Sequence, residues 1–175
     1  MRFLIWWLAA FFLGAIPFSV ICGKLIAKKD IREFGDGNPG AANAFRAGGL
    51  KTGVPAVILD VLKGFLPVWL AKEAGFESYP LALVALAPIL GHAFSPFLKF
   101  RGGKAIAATY GAWLALSVWW ALALGVGMGI FYSFMRADAW VVLLGFLFQG
   151  ALLAFWGTGS LLCLLYTSPS PRDRG

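Results

Sequence analysis

The residues best suited to chemistry gather in two basic, glycine-rich stretches. The first reads Phe34-Gly35-Asp36-Gly37-Asn38-Pro39-Gly40-Ala41-Ala42-Asn43-Ala44-Phe45-Arg46. Three glycines in six residues, with Asn38 and Pro39, exclude a regular helix there. Glycine lets backbone N–H groups converge on an anion, and the segment beyond can open a helix aimed at it. Arg46 is equipped for a bidentate phosphate contact. A tight turn joining two spans uses the same composition, so turn and anion site both stay open. The second stretch runs from Gly91-His92-Ala93-Phe94-Ser95-Pro96 through Lys99 and Arg101 to Gly102-Gly103-Lys104. Two glycines and a lysine before a short helix from Ala105 resemble a phosphate cradle. It is not a Walker A loop, because the spacing differs and Ala105 replaces the hydroxyl residue. Its cations also suit simple anchoring at a membrane face. His92 is a general base by type, or a satisfied polar contact at a helix end.

Asp60 and Lys63 stand within an apolar run at i, i+3, on one helix face. Ionisable groups placed so usually face a bundle interior, paired. A structural ion pair and a functional one both fit. Gly64 permits close backbone approach to a neighbour or a ligand.

These residues need elements to hold them, and the composition says which. Of 175 residues 60% are hydrophobic and 13% charged, with mean hydropathy +0.79. A soluble domain is about 45–50% apolar and about 25% charged. A soluble enzyme and a disordered chain are thereby excluded. Cys22 and Cys163 make no zinc spacing or disulfide framework, and one histidine cannot build a multi-histidine metal site. The apolar runs are continuous, which points to helices rather than a barrel. Phe3–Cys22 is a first span of 20 uncharged residues, about 30 Å as a helix. It is longer than a signal-peptide core and lacks a clean cleavage site. Thr52–Ala71 and Ser78–Leu98 are the next spans. Ala105–Met135 has 31 uncharged residues, about 46 Å as one helix and too long for one span. A break is expected near Ser117-Val118. Ala137–Trp156 follows, then an apolar start at Ser160–Tyr166. The polar stretch 167–175 is expected to be foreign to the fold and to cut a seventh span short.

The reading is therefore all-α: a polytopic transmembrane helix bundle of about six spans plus a truncated seventh, with residues 1–166 as one domain. Lys24, Lys28, Lys29, Arg32, Arg46 and Lys51 fall between the first two spans. Lys99, Arg101, Lys104 and Arg136 fall on the same side once the chain breaks at Ser117. That side is expected to be cytoplasmic, with the N-terminus outside.

The order of these motifs resembles the bacterial acyl-phosphate:glycerol-3-phosphate acyltransferase family. The resemblance rests on Gly14-Ala15-Ile16-Pro17-Phe18, on the 37–46 stretch, on Asp60-Val61-Leu62-Lys63-Gly64 and on 91–104, over residues 13 to about 160. It implies a bundle of seven membrane helices in a bacterial plasma (inner) membrane, with a cytoplasmic active site. It implies transfer of an acyl group from acyl phosphate to the 1-hydroxyl of glycerol 3-phosphate, giving lysophosphatidic acid and phosphate for phospholipid synthesis. Arg46 and Lys104 would hold phosphates, with Gly37, Asn38, Gly40, Asn43, Gly102 and Gly103. Asp36, Asp60, Lys63, His92 and Arg101 would support them. No catalytic residue is assigned beyond His92 as a candidate. No cofactor, metal or nucleic acid is implied, and the partners are the two substrates and the bilayer. Two departures stand out: Asp36 occupies the family's serine position and Ala42 its threonine position. The family's third motif, a His and an Asn after the last span, is absent. A paralogue with another acceptor or no activity, and a small anion transporter or structural membrane protein, are the alternatives.

Overall fold

A computed structural model describes residues 1–134, 144–145 and 147–152. Among the described residues every regular element is a helix. The chain forms two compact units, 1–118 and 119–175.

In the first unit, α1 (Arg2–Ala15) and α2 (Phe18–Cys22, continued by a π-helical turn over Gly23–Ala27) form one broken rod. The expected unbroken span over 3–22 is thus interrupted at Ile16–Pro17. Pro17 has no N–H to continue the ladder, and Ile16 before it is extended at φ −61°, ψ 123°. Helix α3 (Ala41–Glu73) is longer than the expected Thr52–Ala71, since a hydropathy reading leaves out its first turns, which carry Asn43, Arg46 and Lys51. It bends at Gly48–Gly49, where Gly49 has φ 63° and ψ −155°, a region open in practice to glycine alone. Helix α4 (Ser78–Ala93) returns, and α5 (Ile106–Leu116) follows the second loop. The expected break near Ser117 is present: Ser117 is extended at φ −161°, ψ 123°, and α6 is Val118–Phe134. With 11 residues α5 is about 16 Å long, half a hydrocarbon core.

Contacts set the topology. Arg2 donates from its guanidinium to the Ala74 carbonyl, and Trp6 meets Phe76 edge-on at 5.8 Å. The start of α1 therefore lies at the α3–α4 turn. Ser95 and Lys63 reach the other end of α1, so α1 and α4 run parallel and α3 antiparallel to both. The packing is inverted relative to a soluble protein. Ala10, Ala56, Ala71, Ala85, Ala87, Ala108 and Ala112 are buried, whereas Val54, Ile58, Leu62 and Leu66 form an exposed stripe along α3. Small residues inside let backbones approach, which drives helix association in lipid. A Cβ at Gly64 would collide with the Ala108 carbonyl, and one at Gly111 with the Val61 carbonyl, so α3 and α5 cross glycine against backbone. Gly14 and Gly91 make the same reciprocal crossing for α1 and α4.

In the second unit, α6 meets a helical stretch containing 147–152. Phe131 and Phe148 stack edge-on at 6.4 Å, and Gln149 donates to the Trp120 carbonyl at 3.3 Å. The expected span at 137–156 lies mostly, and the 160–166 segment and 167–175 tail wholly, outside the described residues.

Candidate functional site

The first loop is a chain of side-chain bonds around Asn43. Asp30 caps a 3-10 turn at Ile31–Glu33, receiving the Arg32 N–H at 3.0 Å and the guanidinium at 2.9 and 2.6 Å. That guanidinium holds the Asp30 carboxyl down at about 2. Gly35 follows at φ +61°, a left-handed residue whose missing Cβ leaves room for Asn43 Oδ1 and the Arg46 guanidinium. Asn43 is buried in the first turn of α3. Its Nδ2 donates to Asp36 Oδ1 and to the Asn38 carbonyl, both at 2.9 Å. Its Oδ1 accepts from Arg46 Nη1 at 2.6 Å. The side chain of Asn43 therefore aims Arg46. The helix begins at Ala41, so Asn43 and Arg46, read from the sequence as loop, sit on its first two turns. Ala41 and Ala42 lead α3 with N–H groups that have no carbonyl behind them, the usual seat of an anion.

The second loop folds back on α4. Gly102 N–H donates to the Ala93 carbonyl at 3.1 Å and Gly103 N–H to the His92 carbonyl at 3.2 Å. These amides close the end of α4, so their expected use as phosphate donors does not match their bonding. Their lack of side chains has another use. A Cβ on Gly102 would strike the Ala93 and His92 carbonyls; one on Gly103 would strike the His92 ring and stand 3.3 Å from Asn38 Oδ1. Gly103 is thus where the two loops touch, with His92 beneath. Gly37 and Gly40 amides are likewise spent within their loop, on the Phe34 carbonyl at 3.1 Å and the Asn38 carbonyl at 2.8 Å. Helix α5 starts at Ile106 rather than Ala105, which is left-handed at φ 58°.

Lys104 joins the loops. Its Nζ lies 2.8 Å from Asp36 Oδ2, with both side chains about two-fifths exposed. Asp36 also accepts the Asn38 N–H at 3.2 Å. Lys104 above all holds the Asp36 carboxyl down at about 2 against the upward push of burial, and the Asn38 and Asn43 donors add to the lowering. The Asp36 carboxylate is thus paired with a lysine. A continuous path, Lys104–Asp36–Asn43–Arg46, has steps of 2.8, 2.9 and 2.6 Å. Arg101 is exposed and joins no ion pair among the described residues.

Below the loops is a buried polar layer. Asp60 and Lys63 are 2.7 Å apart with side chains 2% and 1% exposed. Ser19 donates to Asp60 Oδ2 at 2.5 Å. Lys63 donates to the Ile16 carbonyl at 2.7 Å and lies over the Phe18 ring at 5.8 Å. Ser95 donates to the Ala15 carbonyl at 2.6 Å. The Ala15 and Ile16 carbonyls, which the break before Pro17 leaves outside a continuous helical ladder, thus receive side chains from α3 and from the turn after α4, Ile16 alongside the Phe18 N–H at 3.0 Å. This gives the Asp60–Lys63 pair a structural use. Ser19 was missed from the sequence, and Ser95 and Gly35, though within the two stretches, were given no separate role. Only the broken hydrogen-bond ladder at Pro17 hinted that donors were needed. His92 is buried, and its Nδ1 has no hydrogen-bond partner among the described residues. No group of three or more metal-ligating side chains occurs among the described residues.

Residues 4–168 match the model of the glycerol-3-phosphate acyltransferase family. The chain belongs to that family. A glycerol-3-phosphate acyltransferase of Maridesulfovibrio salexigens is 40% identical over 152 residues, covering 87% of this chain and 73% of the relative. Glycerol-3-phosphate acyltransferase 1 of Thermotoga maritima is 50% identical over 113 residues, 62% of this chain and 55% of the relative. Crystal structures of PlsY, an integral membrane glycerol 3-phosphate acyltransferase, are similar in fold. The glycerol 3-phosphate form aligns with TM-score 0.79 at 33% identity, over 95% of this chain and 84% of that one. The lysophosphatidic acid form aligns with TM-score 0.78 at 32% identity. The all-helical, membrane-spanning architecture agrees with this kinship.

Proposed function

We propose that the cleft between the two loops acylates glycerol 3-phosphate, with an acyl phosphate as donor. As a member of its family the chain is an acyltransferase that converts glycerol 3-phosphate to lysophosphatidic acid. The donor, the residues and the membrane side are our reading. The observation that carries it is the path Lys104–Asp36–Asn43–Arg46, which ties two cations on separate loops to the opening turn of α3. Both substrates bear phosphate, and the site offers a lysine, a fork-shaped guanidinium and the opening amides of α3 to receive them.

The reaction asks little of a protein base. The 1-hydroxyl oxygen attacks the acyl carbon, and a new C–O bond forms as the bond to the phosphate oxygen breaks. Inorganic phosphate leaves and takes the hydroxyl proton. Catalysis is then positioning and charge stabilisation, for which Arg46 and Lys104 are suited. His92 packs against Gly103 and supports the loop contact. The acyl chain reaches the site from the lipid along the exposed apolar faces of the helices. Lys24, Lys28, Lys29, Arg32, Arg46 and Lys51, with Lys99, Arg101 and Lys104, favour the cytoplasmic face of a bacterial plasma membrane for this end. A transporter would use Asp60 and Lys63 along a path. Here both are buried and bonded to Ser19 and the Ile16 carbonyl, which favours a fixed structural pair.

The test is turnover in lipid or detergent, with released phosphate and lysophosphatidic acid measured together. The chain is compared in two forms, reconstituted in lipid and solubilised in detergent. Equal yields of phosphate and lysophosphatidic acid from acyl phosphate support the reading. Folded protein that makes no product in either form, or that uses an acyl thioester instead, refutes it.

A further inference from the structure

The Asp36 carboxylate sits where an anionic ligand would. Three donors converge on it: Asn38 N–H at 3.2 Å, Asn43 Nδ2 at 2.9 Å and Lys104 Nζ at 2.8 Å. Each belongs to the residues proposed to receive phosphate. The Asp36 side chain is 44% exposed, so a dissolved anion can reach it. A carboxylate and a phosphate oxygen compete for the same donors, and the two negative charges repel each other. We propose that Asp36 sets the affinity of this site, as an internal anion that substrate phosphate displaces and that returns when phosphate leaves. This deepens the proposed function and rests on it.

Two consequences follow from displacement. Phosphate binds more weakly than it would to the same loops with a neutral residue at 36. Product phosphate is also expelled more readily, because a tethered carboxylate is ready to reclaim Lys104. Breaking a half-exposed ion pair is a modest penalty. The expected effect of removing the charge is therefore about threefold to tenfold in affinity, or about 0.6–1.4 kcal/mol.

Asp36→Asn keeps the shape, Asp36→Ser puts a small hydroxyl in place of the carboxylate, and Asp36→Glu keeps the charge. Binding of inorganic phosphate and of glycerol 3-phosphate is measured by calorimetry without an acyl donor, at fixed salt. Turnover then gives KM, kcat and inhibition by phosphate. Tighter binding of both anions by Asp36→Asn and Asp36→Ser, a lower KM without a higher kcat, and wild-type affinity in Asp36→Glu are expected. Unchanged or weaker binding overturns the proposal and makes Asp36 a positioner of Lys104. Loss of the helical fold in both neutral variants, read by circular dichroism, overturns it too. Tighter binding with no turnover by any form leaves the proposal standing and removes the acyltransfer reading. Turnover without tighter binding does the reverse.

Discussion

Replacing Lys63 with methionine removes one half of a buried ion pair and leaves the other behind. The loss is specific. Nζ stands 2.7 Å from Asp60 Oδ1 and donates to the Ile16 carbonyl at 2.7 Å. In Lys63→Met the Asp60 carboxylate, 2% exposed, keeps only the Ser19 hydroxyl. Breaking a buried pair from one side costs about 3–5 kcal/mol, because a charge is left uncompensated. Removing both charges is different. Asp60→Leu with Lys63→Met leaves no orphan charge; the Ile16 carbonyl still accepts the Phe18 N–H at 3.0 Å, and the remaining penalty is the Ser19 hydroxyl deprived of its acceptor, about 1–3 kcal/mol. The double variant should therefore be more stable than Lys63→Met. Denaturant unfolding in detergent, followed by circular dichroism, measures both. A loss below about 1 kcal/mol in Lys63→Met would refute the buried-pair account. So would additive single-variant losses in the double variant, which would mean that the two side chains do not act as a unit.

Other consequences are checked more briefly. Arg46→Lys loses the fork that Asn43 Oδ1 orients at 2.6 Å, so kcat/KM with glycerol 3-phosphate should fall about tenfold to a hundredfold; an unchanged value removes Arg46 from the site. Gly64→Ala drives a methyl group into the Ala108 carbonyl and should destabilise by about 1–3 kcal/mol, read as a lower melting temperature. Acid should weaken the loop contact. Asp36 is held at about 2 against an ordinary 3.8. Its stabilising contribution is thus full above about pH 4 and lost as pH falls through about 2. Because that side chain is 44% exposed, the loss is under about 1 kcal/mol, and Asp36→Asn should flatten that part of the pH–stability curve.

The legible parts of this chain were those that depend on local order. Chain length against bilayer thickness located the break at Ser117, since 31 uncharged residues cannot form one comfortable span. The glycine and cation spacing located both loops. Long-range partners were not legible. Lys63 and the Ile16 carbonyl are 47 positions apart, and Ser95 and the Ala15 carbonyl 80. No periodicity encodes such meetings. Gly102 and Gly103 show a subtler failure. Glycine beside lysine suggests amides open to an anion, yet both amides are spent on the end of α4. The same two residues serve packing, and only the position of α4 distinguishes the uses.

The polar layer also explains how two loops from distant parts of the chain keep their spacing. The first loop runs into α3 and the second leaves α4, so their separation is set where α3 and α4 meet a common body. That body is the break between α1 and α2. Lys63 grips it from α3 at the Ile16 carbonyl, and Ser95 grips it from the turn after α4 at the Ala15 carbonyl, one residue away. Two donors on adjacent carbonyls fix both elements against one short segment. An unbroken helix would have spent those carbonyls on its own ladder and offered no such grip. Pro17 is therefore part of the site's support. The ion pair of Lys104 with Asp36 and the close approach of Gly103 to Asn38 are consistent with this shared anchorage.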